Sequence, residues 1–305
     1  MSNIFDYTLI YATIRSATPI LFAALCATIT QQADILNIGT EGIMLTSAFV
    51  AVLTSFVTGS WLVAIVAAII SGIAIAMIMA VANIKYNAHI CAVGIAVNMF
   101  ALAITKFGIK QFLGTSGTFT SPEIVPIPRI HITALEQNAV LNGIFNNWCV
   151  TEVFGIIMVG VLWFLLFRTV WGLRVRCVGR LPMAAETAGI NVRNLKYQGM
   201  IISGIMGGLA GAHLSLGYSQ MFAENITNGR GFMGVAAMNF GAMNPILVWM
   251  GTLIFGFIDS VGARLQSYGL PSQFILMLPY VFTITVLVLA MWRKGIKDEK
   301  AKSSL

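Results

Sequence analysis

Long runs of apolar residues constrain this sequence more than any other feature. They follow one another along nearly the whole chain, and a membrane-spanning helix needs about 20 mostly apolar residues. Two of the runs are short for a straight crossing. Their approximate limits are 7–30, 43–57, 61–82, 90–105, 152–167, 197–217, 232–242, 246–261 and 274–292. The pattern predicts an all-α, polytopic membrane helix bundle of about nine spans, within a range of about eight to ten.

Composition leads to the same prediction. The chain of 305 residues is 58% hydrophobic and only 10% charged, and its mean hydropathy is +0.86. A soluble domain of this length carries about 25% charged residues. A water-soluble fold could not hide this much apolar surface, and the spans leave no room for a sizeable soluble domain. We therefore expect a single transmembrane domain over residues 1–305.

The basic residues predict the orientation of the chain. The net charge is +7, and most of the basic residues lie in two segments, 168–196 and 293–305, whereas 112–151 contains only Arg129. Lys and Arg are enriched in cytoplasmic loops. We therefore expect a cytoplasmic loop at 168–196, a cytoplasmic C-terminal tail and an external loop at 112–151, which puts the N-terminus outside. The same distribution favours membrane orientation over nucleic-acid binding.

A faint internal repeat relates the two halves, about 7–111 and 197–292. In each half a span is followed by a polar stretch, then by GTEGIMLTSAF or GRGFMGVAAMNF, and then by another span. The charge distribution gives the halves opposite orientations. Inverted repeats are typical of membrane transporters, in which two half-bundles move about a shared central site.

Cysteine and histidine give no sign of a metal site. The cysteines occur singly, and the histidines have no ligand spacing between them. We expect the cysteines, Cys26, Cys91, Cys149 and Cys177, to be small apolar residues in helices rather than disulfides or metal ligands. We expect no metal site at the histidines, His89, His131 and His213.

The polar segment QQADILNIGTEG, 31–42, lies where a cytoplasmic turn is expected, yet it has no Lys or Arg. Gly39 and Gly42 flank Glu41, so the backbone can leave the helical conformation there. Non-helical backbone at membrane depth is tolerated when it is packed in protein or lines a cavity, and a buried carboxylate is usually functional. We predict that Glu41 lines a solute pathway, together with Asn37 and Thr40. The alternative is a structural Glu that caps a neighbouring helix end.

Asparagines are the other candidates for the pathway. Asn98 lies in the middle of the fourth run, and the second half contributes Asn225, Asn228 and Asn239. Asn offers both donors and acceptors, which suits a neutral, polyhydroxylated or heterocyclic solute better than an ion. Hydrogen bonding between helices is the alternative role for these residues.

The loop at 168–196 contains a helix pattern. Pro182 is suited to a helix start, and Gly189 is suited to a stop. Between them lies MAAETA. The pattern predicts a two-turn helix between basic flanks, projecting into the cytoplasm.

This loop also carries a family resemblance. VGRLPMAAETAGI, 178–190, resembles the coupling-helix signature of ABC importer permeases for branched-chain amino acids, ribose and related solutes. NIGTEGIM, 37–44, resembles the nucleoside-uptake branch. RSATPILFAAL and GRGFMGVAAMNFGAMNP match in the expected order, although MNFG, 238–241, departs from the aliphatic residues usual before that Gly. The resemblance implies that the following residues couple to the ATPase: Gly179, Arg180, Pro182, Ala184, Ala185, Glu186, Ala188 and Gly189.

The resemblance also implies an assembly in a bacterial cell membrane. Two permeases, copies or paralogues, form the pore in contact with membrane lipid, and a lipid-anchored binding protein delivers the solute outside. Two ATPase domains dock on the coupling helices. The chain has no GxxxxGK[ST] motif, so we expect no cofactor on it, with ATP and Mg²⁺ on the partner ATPase and no enzymatic activity here.

Two other functions are compatible with parts of the pattern, and a third is not. An ABC permease for a simple sugar would share most of these motifs. An ion-coupled secondary transporter would also have inverted repeats, with Glu41 or Asp259 as its coupling site. A membrane-embedded enzyme is disfavoured because no HExxH, Ser/His or paired-carboxylate constellation is present.

Overall fold

The computed structural model describes residues 8–131, 146–266, 277, 281, 282 and 285. The first part of the chain contains α1 Thr8–Gln32, α2 Thr40–Thr58, α3 Trp61–Ala80 with a π-helical end Val81–Lys85, α4 Ile90–Leu113, β1 Thr118–Phe119 and β2 Arg129–Ile130. The second part contains β3 Trp148–Cys149, α5 Val150–Arg168, α6 Val170–Arg180, α7 Pro182–Thr187, α8 Val192–Ala212 with a π-helical end His213–Ser219, β4 Phe222–Ala223, α9 Arg230–Phe240 and α10 Pro245–Gln266.

Seven helices of the described part are long and apolar enough to cross a membrane. They are α1, α2, α3, α4, α5, α8 and α10, and they correspond to seven of the predicted runs. The run at 232–242 forms α9, whose 11 residues span only about 16 Å, about half of the apolar core of a bilayer. The run at 274–292 lies mostly outside the described residues. The multi-span helical architecture is confirmed, and about nine spans stays a prediction.

The bundle is built around α1, α2 and α8, which bury most of their residues, whereas α3, α4 and α5 bury a third or less. On α4, Met99 and Phe107 are both more than 60% exposed. Apolar side chains directed outward are expected where lipid, not water, surrounds the helices. The peripheral helices therefore present the surface available to lipid or to another subunit.

Small residues bring the central helices into backbone contact. Gly72 of α3 faces Gly204 and Gly208 of α8, and a Cβ on any of the three would overlap the facing backbone. Gly256 of α10 packs in the same way against Ala17 of α1. Close approach of this kind is typical of helix association in membranes. As a result α3 lies along α8, and α10 lies along α1.

The two long loops lie at opposite ends of α1. Near its beginning, the Tyr11 hydroxyl donates to the carbonyl of Asn147, in the predicted external loop. At its other end, the Gln32 carbonyl packs against Gly179 of the predicted coupling loop. Tyr11 and Gln32 of α1 separate these contacts by about 32 Å along the helix axis. This is the separation that the predicted orientation requires, and the assignment of the sides stays the prediction from the basic residues.

Candidate functional site

The break between α1 and α2 is the first part of the candidate site. Residues 33–39 are not helical. Backbone hydrogen bonds from 33–35 to carbonyls at the end of α1 form the turn, and side chains hold the residues that follow. The Asn37 side-chain nitrogen donates to Ser203 Oγ of α8 at 3.0 Å, and Thr40 Oγ1 donates to the Asn37 carbonyl at 2.7 Å. Ser203 lies 11 residues, or about 16 Å, from the start of α8. Non-helical backbone thus lies inside the bundle and packed in protein, as its depth requires.

Glu41 joins this break to α9. One carboxylate oxygen accepts a hydrogen bond from the Gly229 amide nitrogen at 2.8 Å, and the other accepts one from the Gly231 amide nitrogen at 2.7 Å. Gly229 precedes α9 with a φ of 79°, a conformation that glycine adopts without strain. The first amides of a helix lack partners within it, and their positive end favours an anion. Glu41 therefore caps a neighbouring helix end, the alternative that the sequence left open, and its place on a solute pathway stays a prediction.

Asn98 gives α2 a similar cap. Its side-chain oxygen accepts the Gly42 amide at 2.8 Å, and its nitrogen donates to the Ile38 carbonyl at 3.1 Å. A Cβ on Gly42 would meet the Asn98 side chain, so glycine is needed for the approach. At the starts of both α2 and α9, unpaired backbone amides thus donate to a side chain from another helix. For Asn98, this is the hydrogen bonding between helices that the sequence offered as the alternative role.

The remaining predicted pathway residues lie apart from this cluster. Asn225 and Asn228 are exposed, in the loop between β4 and α9, and both have positive φ, which asparagine tolerates better than most residues. Asn239 is exposed near the end of α9 and donates to the Val235 carbonyl. The structure therefore gathers Asn37, Thr40, Glu41 and Asn98 around residues 37–42, with Asn228 beside the α9 cap.

A buried ion pair lies next to the α9 cap. Arg230 Nη2 is 3.0 Å from Asp259 Oδ2 of α10, and both side chains are at least 80% buried. The carboxylate of Asp259 is therefore neutralised by a fixed guanidinium. This weighs against Asp259 as a coupling site for a cation, because the cation would have to displace Arg230.

The helix predicted in the loop 168–196 is present as α7, with Pro182 at its first position and Gly189 at a φ of 77° beyond its end. Its coupling role stays a prediction. Ala185 is buried in a cluster with Ala33, Val178 and Leu195. The other predicted coupling residues are exposed, except Pro182 and Gly179, which are half-buried. The set comprises Gly179, Arg180, Pro182, Ala184, Ala185, Glu186, Ala188 and Gly189.

The sequence analysis missed Gln32. Its carbonyl packs against Gly179, where a Cβ would overlap it, and its side-chain nitrogen donates to the Met243 carbonyl in the turn between α9 and α10. The segment 32–41 therefore contacts the predicted coupling loop at Gly179, the start of α9 through Glu41, and the turn after α9 through Gln32. A lone Gln at a helix end carries no signal for such contacts.

Among the described residues, no group of three or more His, Cys, Asp or Glu side chains is arranged to hold a metal ion.

Three comparisons relate the chain to known proteins. Residues 9–291 match the family described as branched-chain amino acid transport system / permease component. The chain is 36% identical over 288 residues to the guanosine ABC transporter permease protein NupQ of Bacillus subtilis, covering 90% of this chain and 89% of NupQ. It is 34% identical over 285 residues to the nucleoside ABC transporter permease protein NupC of Lactococcus lactis, with the same coverage.

A solved structure described as an inward-facing conformation of a metal-chelate type ABC transporter matches 94% of this chain and 85% of its own, with a TM-score of 0.50. At 13% identity, that likeness shows the fold alone.

Proposed function

Because this chain belongs to the branched-chain amino acid transport system / permease component family, we propose that it is the membrane permease subunit of an ATP-binding-cassette importer for nucleosides. The observation that carries the proposal is the identity of 36% and 34% to permeases of guanosine and nucleoside transporters, over 90% of the chain. The exposed helix α7, with its buried anchor Ala185, supplies a contact surface for an ATPase.

The partners follow from this role. The chain itself has no P-loop motif, so ATP and Mg²⁺ bind on the ATPase subunit. A second permease, a copy or a paralogue, completes the pore. A lipid-anchored binding protein delivers the nucleoside at the end where β1 and β2 lie, with membrane lipid around the peripheral helices. The assembly lies in a bacterial cell membrane, with the N-terminus outside and the C-terminus in the cytoplasm.

An inverted repeat is proposed as the basis of alternating access. The repeat matches α1, α2 and α3 of the first half with α8, α9 and α10 of the second. The packing supports this match, because α3 lies along α8 as α10 lies along α1, and α2 contacts α8 as α9 contacts α1. Two half-bundles related in this way can move about a shared site near the middle of the membrane. The pathway candidates Asn37, Thr40, Glu41 and Asn98 lie at this level, beside the starts of α2 and α9.

The contacts of segment 32–41 supply a route for coupling. Closure of the ATPase would press on α7, whose Ala185 packs with Ala33. Gly179 packs directly against the Gln32 carbonyl. Segment 32–41 would then shift α9 through Glu41, which contacts its start, and through Gln32, which contacts the turn that follows it. Packed interfaces of this kind switch between discrete arrangements rather than deforming continuously.

Uptake measurements test the proposal. The gene cluster for the transporter is expressed in a bacterium that lacks its own nucleoside uptake, and radiolabelled nucleoside and sugar are offered separately. We expect nucleoside uptake that stops on ATP depletion and persists when a protonophore removes the proton gradient while ATP is maintained. Sugar uptake alone would reassign the substrate class, and loss of uptake with the protonophore alone would point to an ion-coupled transporter.

A further inference from the structure

A cavity of about 730 Å³ opens at the ends of α1, α8 and α10, and we call it the outer cavity. It lies at the end of the bundle where Tyr11 contacts the predicted external loop. Most of its described lining residues carry a hydroxyl or a guanidinium group, although carbon atoms make up somewhat more of the lining surface than polar atoms do. The lining residues used below are Tyr11, Arg15, Ser16, Tyr218, Ser260 and Arg264.

Arg15 places a positive charge inside the helix bundle. It lies seven residues after the start of α1, about 10 Å along the helix axis. Charged side chains at such depth are costly, and they usually line a functional cavity. The guanidinium is held in place, since Nη2 donates to the Tyr218 carbonyl at 2.6 Å and the group lies 5.1 Å from the centre of the Tyr218 ring.

The cavity offers many hydrogen-bond donors. A guanidinium carries five N–H donors and no acceptor, and Arg264 adds a second such group to the lining. No acidic side chain is among the described lining residues. A ligand that presents adjacent acceptor atoms would therefore suit this cavity better than a ligand that presents a donor beside an acceptor.

Ser260 carries an unpaired hydroxyl at the wall of the outer cavity. The residue is one of those that line the cavity and is only 3% exposed, and its hydroxyl is buried without a hydrogen-bond partner in the described part of the chain. Leaving a buried hydroxyl unpaired costs stability. A bound molecule with an oxygen or nitrogen atom at this position would recover that cost.

A second cavity of the same protein is almost entirely apolar and provides a contrast. It measures about 460 Å³ between α2, α3 and α4, and its walls include Phe49, Phe100 and Phe107. That groove suits an acyl chain. The outer cavity, rich in hydroxyls and guanidinium groups, favours a polar solute over a lipid.

We propose that the outer cavity is a recognition site for 6-oxopurine nucleosides, with Arg15 binding the base. The inference rests on the proposed import of nucleosides and names the preferred base. The cavity falls within the roughly 300–1,000 Å³ of small-molecule sites. An arginine donates two parallel hydrogen bonds to O6 and N7 of an oxopurine, whereas adenine presents the N6 amino donor beside N7. Hydroxyl groups such as those of Ser16 and Ser260 are suited to the ribose.

Competition uptake tests this site in the complete transporter. Inosine and adenosine differ in the group at position 6 of the base, a carbonyl or an amine. Uptake of each labelled nucleoside is measured with the other as competitor in cells carrying wild type, Arg15→Lys or Ser116→Ala. Ser116 is an exposed residue of the external segment outside the cavity and serves as the control. The binding protein is the same in all strains, so a changed preference arises in this chain.

We expect Arg15→Lys to lower the preference for inosine over adenosine about tenfold, because lysine keeps the charge and loses the paired donors. The Ser116→Ala control should keep the wild-type preference. Ser260→Ala is the second variant if Arg15→Lys does not reach the membrane, since it removes only an unpaired hydroxyl. It should raise the half-saturating concentration of both nucleosides about threefold, the effect of one hydrogen bond.

Several results would overturn the inference. An unchanged preference in Arg15→Lys, or wild-type saturation in Ser260→Ala, would show that the cavity does not bind the solute. Loss of a bound phospholipid from Arg15→Lys in native mass spectrometry, with unchanged preference, would make it a headgroup site. If wild-type cells import sugar and no nucleoside, both the inference and the proposed function fail, whereas nucleoside import without these effects overturns the inference alone.

Discussion

Replacing Glu41 tests the link between the broken segment and α9. Its two carboxylate oxygens accept the amides of Gly229 and Gly231 at 2.8 and 2.7 Å, and Glu41 is only 7% exposed. Few water molecules can therefore reach these amides when the carboxylate is removed. The two substitutions Glu41→Gln and Glu41→Leu separate the contribution of the hydrogen bonds from that of the charge.

The expected losses follow from the number of amides left without a partner. Glu41→Leu leaves both amides unpaired at about 1–3 kcal/mol each, so we expect a total loss of about 2–6 kcal/mol. Glu41→Gln keeps one carbonyl oxygen as an acceptor and turns an NH₂ group toward the other amide, which costs about 1.5–3 kcal/mol. We therefore predict that Glu41→Gln keeps the fold and alters uptake, and that Glu41→Leu damages both.

Thermal unfolding of the purified protein and nucleoside uptake in cells measure the two effects. Glu152→Gln is the matched control, because Glu152 is a buried Glu that accepts the Cys149 amide at the start of its own helix, α5. It should lower stability modestly and leave uptake unchanged. If Glu41→Leu unfolds at the wild-type temperature, the capping argument is wrong. Wild-type uptake in both Glu41 variants would show that Glu41 neither lines the solute pathway nor supports its structure.

Three further predictions address coupling and orientation. Gly179→Ala places a Cβ on the Gln32 carbonyl, a strain of about 1–3 kcal/mol, so ATP hydrolysis should continue while uptake falls; Gly160→Ala in α5, with open space around it, should retain uptake. Glu186→Arg, on the exposed side of α7, should reduce co-purification of the ATPase without preventing membrane insertion, and normal co-purification with normal uptake would contradict the coupling role. A cysteine at the exposed Thr118 should react with an impermeant maleimide in intact cells; labelling only after permeabilisation would reverse the topology.

The sequence predicted the spans well because bilayer crossing depends mainly on the length and apolarity of a run. The run at 61–82, for example, appears as α3, which continues through a π-helical end to Lys85. Apolarity alone did not reveal that 232–242 forms a helix of 11 residues. The helix begins after Gly229, whose amide donates to Glu41, so its start is fixed by a tertiary contact rather than by local composition.

The partners of Glu41 were beyond prediction from the sequence. They are backbone amides 188 and 190 residues away, and a backbone amide has no sequence signature. Arg15 was missed for a different reason, because it lies within a run that is apolar on average. A lone arginine inside such a run is itself a signal for a functional cavity, and counting charged residues run by run would have found it.

The half-length helix α9 makes the two halves of the bundle depend on each other. A helix that begins inside a membrane exposes amides that neither lipid nor its own backbone can satisfy. Here the acceptor is Glu41 of the first half, and the amide at the start of α2 is satisfied by Asn98 of α4. Moving α9 away from α2 would break two hydrogen bonds to a carboxylate, so the two elements should move together. A residue that caps a helix can therefore also transmit motion to it, and the structural and mechanistic roles of Glu41 are compatible.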